Sequence, residues 1–242
     1  MEKKLNPILE VSCEFQFETS FPQEAAYAML LKCFTDSDSK KEFSIVPQPI
    51  LNLPLDVRLN DSNLKYIPCY ILSNDSLTIG ISSFSLMYTI KKDYLGFRSL
   101  KQIIEEKNSL IEASVKNIKQ IALRYINRID DSLFNATNLT LSTKNGSSVE
   151  NKQNFTISIE DRLDENCSTI LRLNNLNTSL AGDAEKNKFS VVDIIAFNKQ
   201  ILENFSSVSE VMDKLNGSAE NIFKSLMKKD FIKDNYDIKL EW

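Results

Sequence analysis

The chain of 242 residues contains no histidine. That absence excludes Ser-His-Asp and Cys-His catalysis, His-ligated zinc and the commonest general base. Carboxylate, lysine or bound-metal chemistry stays open, as does no chemistry at all. The sequence has only four cysteines, at 13, 33, 69 and 167, and no CxxC pair; such scattered use fits a reducing, cytoplasmic compartment. Cys13 and Cys33 fall in apolar patterns and read as small core residues. Long apolar runs are also missing. Nowhere do 18 consecutive apolar residues occur, so no membrane span is expected, and MEKKLNPILEV shows charge without the apolar run of a secretory signal. There is no glycine-rich phosphate loop and no short βαβ spacing, which speaks against a doubly wound nucleotide-binding fold and against a nucleotide cofactor. No cofactor of any kind is expected.

What is present is enough for a substantial core: 42% of residues are hydrophobic, including 14 Phe. Lys and Arg number 29 against 33 Asp and Glu, a formal charge of -4. That balance disfavours a general nucleic-acid coat while leaving room for a local basic patch.

Periodicity supplies the elements. In LEVSCEFQF, Leu9, Val11, Cys13, Phe15 and Phe17 alternate with Glu10, Ser12, Glu14 and Gln16, the pattern of a strand with one buried face. SFPQEAAYAMLLKCF reads as a helix capped by Ser20, with Pro22 in its first turn and Tyr27, Leu30, Leu31 and Phe34 as its stripe. Pro47, Pro49 and Pro54 make Phe43–Leu59 irregular chain or edge strand. YIPCYIL and SLTIGISSFSLMYTI read as two strands, the second covered on both faces or bulged. KDYLGFRSLKQIIEEKNSLIEASVKNI reads as one amphipathic helix, with Leu100, Ile103, Ile104, Lys107, Ile111, Val115 and Ile118 in phase. NFTISIEDR, STILRLNNL and KFSVVDIIAFNK are three further strands. A final helix over about Val208–Met227 tolerates Gly217, which lowers its intrinsic helicity by about 1 kcal/mol. The order predicts an α+β protein, mainly antiparallel sheet with packed helices, in two related halves: 1–118, and 119–242 with an Asn/Ser-rich loop at 132–154.

In LRYINRID (123–130), strand geometry puts Arg124 and Arg128 on one face, separated by Ile126. Guanidinium forks in such a ridge suit phosphate or a carboxylate-rich partner. The competing expectation pairs them with Glu10 or Glu14, or leaves them facing water. Asn127 lies on the opposite, apolar face, where its amide must find hydrogen bonds and so fastens a neighbouring backbone group. Asp193, inside FSVVDIIAF, is the best isolated acidic candidate. A metal there would need Glu160, Asp161 or Asp164 to be gathered by the fold, and a salt bridge to an arginine is the commoner outcome. Asp130 and Asp131, adjacent on a strand, point to opposite faces and suit turn formation or capping better than a shared metal. No catalytic set and no metal site follow from these spacings.

NPILEVSCEFQFE, YLGFRSL, ALRYINRID and KLNGSAENIFKSLMKKDF occur in an order that resembles a sporadically distributed, largely uncharacterised prokaryotic family. That family shares a P-I-x-E-V strand, an R-Y-I-N-R-I strand and a C-terminal helix containing an L-H pair. Pro7, Glu10, Arg124, Asn127 and Arg128 match its pattern; Leu215-Asn216 departs from it, with asparagine where the family has histidine. A structural role for that position is easier to reconcile with asparagine than a catalytic one. The resemblance implies a mobile or defence-associated gene.

Two functions fit these observations. One is a non-enzymatic protein-interaction or regulatory module, in a defence or toxin-control setting, whose partner is another protein or a second copy of the chain. The other is an RNA- or nucleotide-directed protein, such as a metal-dependent nuclease, in which Arg124 and Arg128 share a cleft with Asp193. The absence of histidine, the acidic balance and the lack of a catalytic set favour the first.

Overall fold

A computed structural model of the chain describes residues 6–35, 43–90, 94–142, 154–178 and 188–236. These form an α+β fold built on one nine-stranded, mainly antiparallel sheet. In chain order the elements are β1 (Ile8–Thr19), α1 (Ala26–Thr35), β2 (Ser44–Pro47), α2 (Leu55–Asn60), β3 (Tyr70–Ser73), β4 (Thr78–Ile81), β5 (Ser85–Ile90) and α3 (Phe97–Ser109). Then follow β6 (Val115–Ile129), α4 (Leu133–Ala136), β7 (Phe155–Arg162), β8 (Cys167–Thr178), β9 (Lys188–Asn198), α5 (Val208–Leu226) and α6 (Lys229–Asn235). The strands lie in the order β2-β3-β4-β5-β1-β6-β9-β8-β7. A strand, a helix, a three-strand meander and a helix therefore occur twice, with β2 and α2 added to the first set. In both, the opening strand lies beside the last strand of its meander.

The chain divides into two compact units that interleave its halves. One comprises Val11–Leu123 and Phe197–Leu215. The other comprises Met1–Glu10, Arg124–Ala196 and Asn216–Trp242.

In the first unit, the alternation of β1 buries Val11, Cys13, Phe15 and Phe17. Cys13 lies opposite Tyr88 and Phe15 opposite Leu86 on β5, and Phe15 meets Tyr88 edge-on at 6.0 Å. The buried Tyr88 phenol donates to Asn108 Oδ1 at 2.7 Å, so the phenol does not enter the core unsatisfied. Burial pushes the Cys13 thiol far above its ordinary range, which keeps it protonated and inert. Cys33, expected in the core, is instead only half-buried, and its thiol donates to the Met29 carbonyl one helical turn back.

Several sequence expectations need correction in this unit. α1 begins at Ala26 rather than near Ser20. The Ser20 N–H and hydroxyl are both taken by the Ser114 carbonyl, and Pro22 occupies a preceding turn. α3 stops at Ser109, and Val115 and Ile118 belong to β6. Both are buried although they stand three residues apart, a spacing that a regular strand would split between its two faces; the left-handed Asn117 between them breaks the alternation. The long YTI-containing segment is a hairpin: Ser82 Oγ accepts from the Phe84 and Ser85 amides and turns β4 back into β5. Gly80 on β4 is where Pro68 crosses the sheet; a Cβ there would meet Pro68 Cγ at 2.8 Å. α2 was not legible among the prolines around it.

β2 is an edge strand, as its prolines suggest, and its backbone is blunted. Asn74 N–H bonds Leu77 O, so Ile71 and Ser73 turn their polar groups to β2. Their partners Val46 and Ser44 therefore face inward, while Ile45 and Pro47 face the open side. Proline at an outward position removes a donor, leaving Ile45 to supply the strand's outward amide.

On the other face of β1, Glu14 accepts from Gln16 Nε2 at 3.1 Å. Burial raises its pKa above the ordinary 4.5, with the Gln16 bond opposing the shift. A raised carboxyl favours the fold below the unfolded pKa, and that contribution is lost as pH rises through the folded value. Glu14→Gln is therefore expected to stabilise the protein at pH 7, with the gain vanishing below about pH 4, where both states are neutral. Urea titrations of both proteins at the two pH values measure this. A gain of equal size at both would refute the burial argument.

In the second unit, β6 buries Tyr125, Asn127 and Ile129, and β9 buries Ser190, Val192, Ile194 and Ala196. Asn175 of β8 is fully buried, and its Oδ1 accepts from the Leu133 amide at 2.8 Å and from the Ser132 hydroxyl at 3.2 Å. Ser132 caps α4 by accepting from the Phe134 amide. Asp131 supports that turn through the Ser132 amide and the Asn135 side chain. Of the loop expected at 132–154, residues 143–153 lie outside the described residues. α6 is a further helix beyond the last one expected from the sequence, and Lys228 before it donates to the Phe134 and Asn135 carbonyls. No helix among the described residues is long and apolar enough to cross a membrane.

Candidate functional site

Alternation along the strands of the second unit gives its sheet one buried face and one half-exposed face. The half-exposed face carries Arg124, Ile126 and Arg128 from β6, Phe189, Val191 and Ile195 from β9, and Ile170 and Arg172 from β8. Thr156, Ser158, Glu160 and Arg162 continue it on β7, opposite Asn174, Arg172, Ile170 and Ser168. Aliphatic side chains thus sit between guanidinium groups across an open sheet surface.

Asp193 is on this face too but is buried, its side chain only 6% exposed. Arg124 covers it with a two-pronged fork: Nε to Oδ1 and NH2 to Oδ2, each at 2.8 Å. These bonds hold the Arg124 guanidinium still more firmly protonated than usual, and the nearby Glu10 charge adds to the effect. Arg172 approaches from β8, with NH1 3.7 Å from Asp193 Oδ2. Arg128 donates through Nε to Asp130 Oδ1 at 2.6 Å and stacks over the Phe189 ring at 4.6 Å.

The two expected ridge residues therefore share a face, but neither guanidinium lacks a carboxylate. Arg124 belongs to a partly buried ion pair, and Arg128 is tied to Asp130, the first residue beyond the end of its own strand. Glu14 takes no part, whereas Glu10 acts on Arg124 only through its charge. Asn127 reaches through the sheet interior to donate to the Val192 carbonyl at 3.1 Å, clasping β6 to β9. Asn216 accepts from the Tyr125 phenol at 2.6 Å, a structural bond at the position where a histidine was considered. Arg172 was missed by sequence reasoning; the alternation of STILRL, which places it beside Ile170, is the signal that pointed to it.

Charge on the face is balanced: Arg124, Arg128, Arg162 and Arg172 stand against Glu10, Asp130, Glu160 and Asp193. The carboxylates proposed as fellow ligands of Asp193 do not gather around it, and its close neighbours are arginines. No group of three or more Cys, Asp or Glu among the described residues is placed to hold a metal ion. A concavity in this unit, of about 510 Å³, is lined in part by Lys224, Lys228 and Lys229. Its lysines are also engaged, Lys228 by the carbonyls that end α4 and Lys224 by Glu220 at 2.8 Å.

No protein-family model matches the chain, and no curated protein is significantly similar to it.

Proposed function

We propose that the protein is a non-enzymatic, cytoplasmic protein-interaction module whose recognition surface is the half-exposed face of β6, β9 and β8. The observation that carries this reading is the composition of that face. Ile126, Ile170, Val191 and Ile195 offer apolar area that a partner protein can cover, and Arg124 and Arg128 between them are already paired with carboxylates. Phosphate recognition needs uncompensated positive charge, which four arginines matched in number by four carboxylates do not supply. Protein interfaces, in contrast, are enriched in arginine and in partly exposed apolar side chains near their centres. A regulatory role in a defence or toxin-control system belongs to the same proposal.

The test must leave Arg124 in place, because its removal acts on the buried Asp193. Ile170→Lys keeps an aliphatic stem against the sheet and adds a charge at the centre of the face. Arg172→Ala removes a half-exposed fork. Tagged protein from native lysate, with and without nuclease, should retain a stoichiometric partner that both variants release at unchanged melting temperature. A partner retained by both variants rejects this face. Co-purified nucleic acid that the variants lose would replace the proposal with the RNA-directed reading.

A further inference from the structure

The two outer strands of the sheet end it in different ways. β7 is paired with β8 along its whole length, from Phe155 opposite Asn175 to Arg162 opposite Ser168. The ladder continues one step further, with Leu163 N–H donating to the Cys167 carbonyl at 2.9 Å. Antiparallel alternation then fixes the direction of every polar group in the strand. Residues 155, 157, 159, 161 and 163 turn theirs toward β8; Thr156, Ser158, Glu160 and Arg162 turn theirs to the side where no strand pairs among the described residues. β7 contains no proline and no glycine, so all four outward residues keep an amide donor. Pro47 blunts β2, but nothing equivalent in its sequence blunts β7.

We infer that β7 pairs with β7 of a second copy of the chain, antiparallel about a two-fold axis at Ile159. The side chains select this occupant and this register. Phe155, Ile159 and Leu163 recur every fourth residue on one face, with Ile159 47% and Leu163 42% exposed. An axis at Ile159 sets Ile159 against Ile159 of the second copy and Phe155 against its Leu163, covering both exposed side chains. The outward residues meet outward residues, Ser158 with Glu160 and Thr156 with Arg162, which gives about eight main-chain hydrogen bonds. Ile159 falls at a non-hydrogen-bonded position, where opposed side chains come closest. Directly opposed like charges are absent from this register: Glu160 faces Ser158, Asp161 faces Ile157 and Arg162 faces Thr156.

Neighbouring registers are worse. Moving the axis to Glu160 opposes the two Glu160 carboxylates and sets Ile159 against Asp161. Moving it to Ser158 sets Phe155 against Asp161 and leaves Leu163 uncovered. The pattern is thus self-complementary in one register, as a two-fold interface requires. This pairing uses the strand edge and is independent of the open face proposed above for partner binding.

Sedimentation equilibrium over a concentration series should show a monomer–dimer equilibrium for the intact chain. Ser158→Pro removes an outward amide while leaving the bonds to β8 intact, and should give a monomer at unchanged melting temperature. In a Cys33→Ser background, Ile159→Cys should form a disulfide-linked dimer on mild oxidation, while Asp161→Cys should not. The cysteine pair decides the matter if the proline variant fails to fold. A wild-type chain that stays monomeric at all concentrations overturns the inference. So does a dimer that survives Ser158→Pro, or cross-linking by the Asp161→Cys variant without cross-linking by Ile159→Cys. Arg172→Ala should leave the dimer unchanged, which separates a failure here from a failure of the binding face.

Discussion

Arg124→Met is expected to destabilise the protein by about 3 kcal/mol, a large share of the stability of a domain of this size. The cost lies in Asp193. Its carboxylate is almost fully buried and held by two 2.8 Å bonds from one guanidinium. Without the fork, a desolvated negative charge remains, and only Arg172 at 3.7 Å is near enough to compensate. The value sits at the low end of the range for broken buried pairs, because Arg124 is 38% exposed and water screens its side of the interaction. Two further measurements identify the mechanism. Asp193→Leu added to Arg124→Met should recover most of the loss, since the pair replaced by apolar side chains leaves no orphan charge. The deficit of the single variant should also shrink in acid: an unpaired buried carboxyl has a raised folded pKa, so its penalty is present at neutral pH and absent once it is protonated. Urea midpoints at pH 7 and pH 4 report both effects. A double variant no better than the single would show that Arg124 acts through packing.

Asn175→Leu is the second large loss, again about 3 kcal/mol, by a different route. Asn175 joins β8 to the start of α4 at a site closed to water. Leucine fills similar volume but leaves the Leu133 amide and the Ser132 hydroxyl without their acceptor, each a buried orphan costing about 1–3 kcal/mol. Equilibrium unfolding with an unchanged denaturant slope would assign the loss to the folded state. Faster hydrogen exchange at the Leu133 amide would place it at α4. Stability within about 1 kcal/mol of wild type would mean that a water molecule replaces the asparagine oxygen.

The sequence revealed strands better than partners. The alternation of LRYINRID placed both arginines on one face and Asn127 on the other, because a side-chain period of two is a local property. The pairing of Arg128 with Asp130 was within reach of the sequence, since only Ile129, the last residue of the strand, stands between them. The pairing of Arg124 with Asp193, 69 residues away, was not. It depends on β9 lying beside β6, and strand order is decided by packing across the whole sheet. Glu10 and Glu14 were equally plausible partners until that order was known. Boundaries failed where an irregular start to a strand imitates a helical stripe. Ile111, Val115 and Ile118 satisfy a helical stripe, yet the chain turns extended at Val115 and takes a left-handed φ of 46° at Asn117. Ser82, polar inside an apolar run, was the visible trace of the β4–β5 turn, and its capping hydroxyl could be recognised only in three dimensions.

The position of β1 at the middle of the sheet also bears on how the chain acquires its structure. β1 is made early, but Ser20 just after it donates to Ser114, 94 residues later, and the Pro7 carbonyl just before it accepts from the Arg128 amide. Until β6 has been synthesised, β1 has β5 on one side and a bare edge on the other, with Phe15 and Phe17 only partly covered. Such distant pairing makes the closing step slow, because the entropy of a long loop is lost before the contacts that reward it have formed. A nascent chain at that stage exposes both apolar surface and an unpaired central strand, the features that recruit chaperones and invite aggregation.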